Sequence, residues 1–233
     1  MTGSPEIVGH RGAPRERLEN TLASFERALD LGADALELDV HATRDGVVVV
    51  HHDPALSSGI EQADLADLTI ESLSWQELRE IEIGPGATVP QLEEVLTLAA
   101  GRATVYTEIK GAGIEPLVVR AIQRSSARCA VHSFDHRVAG RVRALAPALP
   151  TGILVVGRLV DPARALRAAG ARDYWQHHSE IDAELVADIH AAGGRVVAWT
   201  VNGVAEGAAL AAAGVDALCT DVPGRMRASV THR

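Results

Sequence analysis

One junction recurs four times in this chain and limits its fold more than any other feature. It reads Leu31-Gly32-Ala33-Asp34-Ala35-Leu36, Ala169-Gly170-Ala171-Arg172-Asp173-Tyr174, Ala192-Gly193-Gly194-Arg195-Val196-Val197 and Ala213-Gly214-Val215-Asp216-Ala217-Leu218. Each copy joins an Ala/Leu-rich helical stretch to an apolar strand through a glycine, the residue that best tolerates a left-handed helix cap. Helices and strands alternating through such short joins imply parallel strands with right-handed crossovers. Reading outward from these anchors predicts strands near 6–9, 35–40, 103–109, 128–132, 152–156, 173–177, 195–201 and 216–220. The intervening helices fall near 20–31, 90–100, 115–125, 135–145, 161–169, 182–192, 203–213 and 222–230. Eight such units in 233 residues predict one α/β domain over 1–233, a compact TIM (β/α)8 barrel. An open doubly wound sheet is the competing architecture. Aromatic residues make up only 3% of the chain, so the core is expected to be aliphatic.

One region breaks the rhythm. After the second strand, Asp45-Gly46 leads into Val47-Val48-Val49-Val50, which reads as a strand entered through a turn. A polar, irregular run from about 54 to 88 follows and is expected to form a short inserted cap over the strand ends.

The net charge of -9 argues against nucleic acid as a partner, because phosphate backbones select basic faces. A small phosphate substrate stays compatible, since a local cation can reverse the sign within one cleft. Cys129 and Cys219 lie far apart with no cysteine neighbour, and both read as small buried hydrophobes. No basic segment followed by an apolar run is visible in residues 1–8, and no stretch reaches the roughly 18 apolar residues that span a bilayer. A cytoplasmic location without stable membrane insertion is the expectation.

Reactive side chains collect at the predicted strand ends. His10, Arg11 and Gly12 close the first strand. Glu37 and Asp39 close the second, two residues apart and so on one side of it. Glu108 and Lys110 repeat that spacing on the third, and His52 and Asp53 close the valine run. In a parallel barrel these ends open onto one face. Three carboxylates held together repel one another unless a cation neutralises them, and an oxygen-only set suits magnesium, calcium or manganese. Arg11 and Lys110 beside such an ion would seat an anionic phosphate. Two histidines could then activate a nucleophile and protonate a leaving alkoxide.

The motifs carrying this set resemble, in order, those of the glycerophosphodiester phosphodiesterase family. They include Gly9-His10-Arg11-Gly12, Glu19-Asn20-Thr21, Glu37-Leu38-Asp39-Val40, Thr43-Arg44-Asp45-Gly46 and His51-His52-Asp53. Further along stand Val89-Pro90-Gln91-Leu92, Glu108-Ile109-Lys110, Ser133-Phe134-Asp135, Trp199-Thr200-Val201-Asn202 and Thr220-Asp221-Val222-Pro223. The resemblance implies a TIM barrel that hydrolyses small glycerophosphodiesters to glycerol 3-phosphate and an alcohol. It also implies His10 and His52 as the acid/base pair, and Glu37, Asp39 and Glu108 as ligands of a divalent metal ion. Arg11 and Lys110 would contact phosphate, and Trp199 would wall the glycerol carbons. Asp53 would act directly or orient the loop carrying His52. Family members often continue past His-Asp into a Leu-x-Arg-Thr-Thr stretch. Here Leu56 is followed by Ser57, Ser58 and Gly59, a departure bearing on cap contacts and substrate preference.

Blander roles compete at several positions. Asn20 reads as the N-cap of the first helix. Glu108 and Lys110 could form a plain ion pair. His51 alternates away from His52, while His41, His132, His177 and His178 read as surface or packing residues. Three rival functions use the same residues: release of a cyclic phosphate, aldolase chemistry with Lys110 as a Schiff-base amine, and non-enzymatic binding of glycerophosphodiesters.

Overall fold

The computed structural model describes residues 4–56 and 68–230. Eight parallel strands close into a barrel. They are β1 (Glu6–His10), β2 (Ala35–Ala42), β6 (Thr104–Ile109), β7 (Arg128–Ser133), β8 (Thr151–Val155), β9 (Asp173–His177), β10 (Arg195–Trp199) and β11 (Ala217–Thr220). β1 pairs with both β11 and β2, which completes the ring. This is the TIM barrel predicted above. The outer layer contains α1 (Leu22–Asp30), α3 (Leu92–Ala99), α4 (Glu115–Gln123), α5 (Arg137–Leu145), α6 (Pro162–Ala169), α7 (Ala183–Ala191), α8 (Val204–Ala213) and α9 (Pro223–Val230). All four junction glycines take positive φ, from 63° at Gly170 to 93° at Gly214, so the repeated signal is indeed the left-handed helix stop.

The space between helices and strands is filled mainly by aliphatic side chains, with Phe25 and Tyr174 among them. The barrel interior is different. Tyr106 and Trp175 fill it, among Val8, Ala35, Ala130, Val197 and Ala217. Small neighbours make the room: a Cβ on Gly152 would come within 3.0 Å of the Trp175 ring. Percentage composition hides this, because a few large rings suffice for a narrow lumen. Cys219 is buried there, whereas Cys129 is only half-buried, contrary to expectation.

At the N-terminal end of the barrel lies a closed set of charges. Arg195 donates to Glu6 at 2.8 Å and to the Tyr106 hydroxyl at 3.0 Å, and that hydroxyl donates to Glu6 at 2.8 Å. Arg172 grips the fully buried Asp173 through Nε at 2.9 Å and Nη2 at 2.6 Å.

The valine run forms β3 (Val48–Val50), antiparallel to β2 with Val40 opposite Val50. Beyond it, the described part of the insertion holds α2 (Trp75–Leu78) and a hairpin of β4 (Glu82–Gly84) and β5 (Ala87–Thr88). These pack around Val49, Leu56, Ile70, Leu78, Ile83 and Val89, so this stretch has an apolar centre of its own. Its apolar residues are too irregularly spaced to show a helix or strand period. The Ser57-Ser58-Gly59 departure lies outside the described residues. Among the described residues, no helix is long and apolar enough to cross a membrane.

Candidate active site

The C-terminal mouth of the barrel brings together His10, Arg11, Glu37, His52, Glu108 and Lys110 around a cavity of about 240 Å³. Strand register explains much of the convergence. His10 stands opposite Glu37 across β1 and β2, Asp39 opposite Glu108 across β2 and β6, and Glu108 opposite His132 across β6 and β7. Partners in register on neighbouring strands face the same side, so these side chains all enter the mouth.

The turn after β1 is built to push Arg11 inward. Arg11 takes φ 52° and Gly12 takes φ 92°. A Cβ on Gly12 would lie 2.4 Å from Ser24 Oγ, so both space and backbone demand glycine. The turn lets Arg11 N donate to Glu37 at 3.2 Å, with Nε 3.1 Å from Asp39 Oδ2 and Nη1 donating to Glu19 at 2.8 Å. Asn20 is part of the same device. It is buried with φ 55°, donates from its backbone to Arg11 O, and donates from Nδ2 to Asp39 Oδ2 at 3.0 Å. The N-cap of α1 is Thr21 instead, whose side chain accepts from Ser24 N. Asn20 is therefore a site-supporting residue and not the cap that helix-start rules favoured.

β3 carries His52 to the mouth. His51 N donates to Asp39 O at 3.0 Å, and His41 Nε2 contacts His52 O at 3.1 Å. Lys110 Nζ lies 3.0 Å from His52 Nε2, and His52 Nδ1 lies 2.8 Å from Asp53 Oδ1. A protonated amine can only donate, so Nε2 accepts and the ring proton sits on Nδ1, facing Asp53. His10 is anchored differently, through Nδ1 to Asp221 Oδ1 at 2.7 Å. Asn202 fixes Asp221 by donating Nδ2 to Oδ2 at 2.7 Å, and its Oδ1 accepts from Asp221 N at 2.9 Å. Burial pulls the His10 pKa down, but the Asp221 hydrogen bond and the Glu37 charge outweigh it, leaving the pKa above the ordinary histidine value. Asp221 and Asn202 stand in family-like motifs, yet no local pattern in the sequence ties them to His10. Only contacts across the closed barrel reveal them, because β11 meets β1 at the end of the chain.

The carboxylates differ in their surroundings. Burial raises Glu37, yet contacts with His132, His10 and Arg11 pull it well below the usual range. Glu108 is pushed up to about 7 by burial and by the Asp39 charge. Lys110 Nζ lies 3.1 Å from Glu108 Oε1 and 3.4 Å from Asp39 Oδ1, so two carboxylates converge on one cation. Burial works against the Lys110 charge, but Asp39 and Glu108 raise its pKa overall, which keeps the amine protonated and unsuited to Schiff-base attack. Ligand-capable atoms of Glu37, Glu108 and His132 all lie within 4.8 Å of one another. Asp39 is not in that trio; its Oδ2 faces Asn20 and Arg11, and Oδ1 faces Lys110. His132, expected to be a surface or packing residue, thus stands among the groups able to hold a cation.

Trp199 lines the cavity and meets Phe134 edge-on at 5.5 Å and His177 at 5.5 Å, which makes an aromatic wall. His51 lies outside this cavity, with Nδ1 on Asp53 O. His178 pairs with Glu206.

A parallel barrel with acid, base, cationic and carboxylate groups at one mouth belongs to the class of barrel enzymes acting on small anionic substrates. Residues 10–225 match the model of the glycerophosphoryl diester phosphodiesterase family, so the chain belongs to that family and is, with it, a phosphoric diester hydrolase. A glycerophosphodiester phosphodiesterase of Caldanaerobacter subterraneus is 31% identical over 93% of this chain and 94% of its own length. Another from Bacillus altitudinis is 31% identical over 94% of this chain and 96% of its own. Among solved structures, a phosphodiesterase of Oleispira antarctica in complex with the product sn-glycerol-3-phosphate is 26% identical with a TM-score of 0.89. That match covers 97% of each chain.

Proposed function

We propose that this chain hydrolyses small glycerophosphodiesters to glycerol 3-phosphate and an alcohol, with His10 and His52 as its acid/base pair. The carrying observation is the different surroundings of the two rings at one cavity. His52 keeps an Nε2 lone pair, while Asp221 favours the protonated form of His10. His52 therefore serves as base, exchanging Lys110 for the attacking glycerol 2-hydroxyl and taking its proton. His10 serves as acid, giving its proton to the leaving alkoxide as the P–O bond breaks. In the second half the roles reverse: His10 deprotonates water, which opens the cyclic phosphate, and His52 returns its proton to the 2-hydroxyl. Arg11 and Lys110 bind the phosphate oxygens, and Trp199 lies against the glycerol carbons.

The residues present fit a divalent ion. Glu37, Asp39 and Glu108 are nearly fully buried, and Lys110 between two of them does not spare Glu108 an elevated pKa. Glu37, Asp39 and Glu108 would hold magnesium, calcium or manganese. A bound ion would neutralise charge on the phosphate.

A panel of glycerophosphodiesters and lysophospholipids, followed by phosphorus NMR with and without metal, tests this reading. Phosphomonoester release that stops in EDTA and returns with metal is expected. Full activity in excess EDTA overturns the ion, and a cyclic ester accumulating with no monoester overturns hydrolysis.

A further inference from the structure

His132 has no role in the chemistry above, yet it is the most enclosed imidazole at the mouth, with 2% of its surface exposed. A buried histidine normally satisfies its ring nitrogens with protein partners. Here Nδ1 has none, and Nε2 finds only Glu37 Oε1 at 3.7 Å, beyond hydrogen-bond length. Stacking fixes the ring instead. Trp175 lies parallel at 4.2 Å and 11°, and Tyr106 meets it edge-on at 6.5 Å. The stacked ring is thus held beside Glu37 and Glu108, with a ligand-capable nitrogen and one carboxylate oxygen from each of them all within 4.8 Å of one another.

We infer that His132 is an additional, nitrogen ligand of the ion site and gives this chain a preference for manganese or cobalt over magnesium and calcium. The inference rests on the ion-dependent reading above and narrows it. Carboxylates alone do not separate manganese from magnesium or calcium, whereas an imidazole nitrogen is a softer donor that favours first-row transition ions over both. Asp39, drawn toward Arg11, Asn20 and Lys110, leaves Glu37, Glu108 and His132 as the closest set of donors.

The test uses the full-length, metal-stripped protein and two readouts that do not require turnover. First, manganese and magnesium dissociation constants are measured by competition in wild type and His132→Gln, whose amide oxygen keeps a hard donor near the same place. The expected loss of manganese affinity is roughly tenfold or more, the lower range seen when groups merely supporting a metal ligand are removed. Magnesium affinity should stay within about twofold, because the hard donors remain. Second, pulsed electron paramagnetic resonance of the manganese-loaded protein should show nitrogen coupling that survives in His10→Ala/His52→Ala and disappears in His132→Gln.

An unchanged manganese-to-magnesium ratio, or nitrogen coupling that persists in His132→Gln, overturns the His132 assignment and leaves the ion site standing. Wild type that binds neither ion overturns both readings. If His132→Gln does not fold, the double alanine variant decides. Retained nitrogen coupling supports His132, and lost coupling removes it.

Discussion

The barrel carries clusters of charge at both ends, and they are built on opposite principles. At the N-terminal end, Glu6 and Asp173 each meet a guanidinium, and Tyr106 closes the link between Glu6 and Arg195. Burial still holds Asp173 above the ordinary carboxylate range, but every strong acceptor there has a donor. At the mouth, Glu37, Asp39 and Glu108 share Arg11 and Lys110, and His132 Nε2 comes no nearer than 3.7 Å to Glu37 Oε1. A cluster complete in itself has little left to offer a ligand. One short of positive charge has its binding capacity in reserve.

The sharpest test of that division is to remove groups from each end and compare what is lost. At the mouth, His10→Ala and His52→Ala should each reduce kcat by roughly 10²-fold or more, the scale of general acid/base catalysis. Urea midpoints should barely move, because both rings are partly exposed. A variant that keeps the wild-type rate removes that histidine from the mechanism.

At the opposite end the signs should reverse. Arg195→Met leaves Glu6 with Tyr106 alone and Asp173 with Arg172 alone. The expected loss of unfolding free energy is about 1–3 kcal/mol, discounted because the guanidinium is partly exposed. Steady-state kinetics should stay within about twofold of wild type. A variant of normal stability and reduced kcat/KM would break the comparison, since it would make the floor part of the catalytic apparatus.

The same contrast separates what could be read in the sequence from what could not. The junction glycines declared the barrel, because a left-handed helix stop is a local demand that only a few residue types meet. His10, Glu37, Asp39, Glu108 and Lys110 were legible for a related reason: strand ends and two-residue spacing are local. Asn20, Asp221 and His132 were harder. Asn20 obeys a helix-start rule almost as well as its neighbour Thr21, and only its positive φ and its bond to Asp39 separate them. His132 sits in a strand whose residues alternate between helix layer and lumen, and its place beside Glu37 depends on barrel stagger. The partnership of Asp221 with His10 joins residues 211 positions apart.

That last partnership gives the subtlest expected effect. His10 is half-buried, which by itself disfavours the charged ring, so its raised pKa depends on Asp221 and Glu37. In Asp221→Asn the burial remains while one negative neighbour is gone, and the His10 pKa must fall. An acid works only while protonated, so the basic limb of the first-step rate should move to lower pH, by roughly one unit or more. Were His10 the base in that step, the same substitution would move the acidic limb down instead and extend activity at low pH. Cyclic-phosphate formation, measured across pH in single-turnover experiments, distinguishes the two. A profile that does not move would show that Asp221 only holds the ring in place.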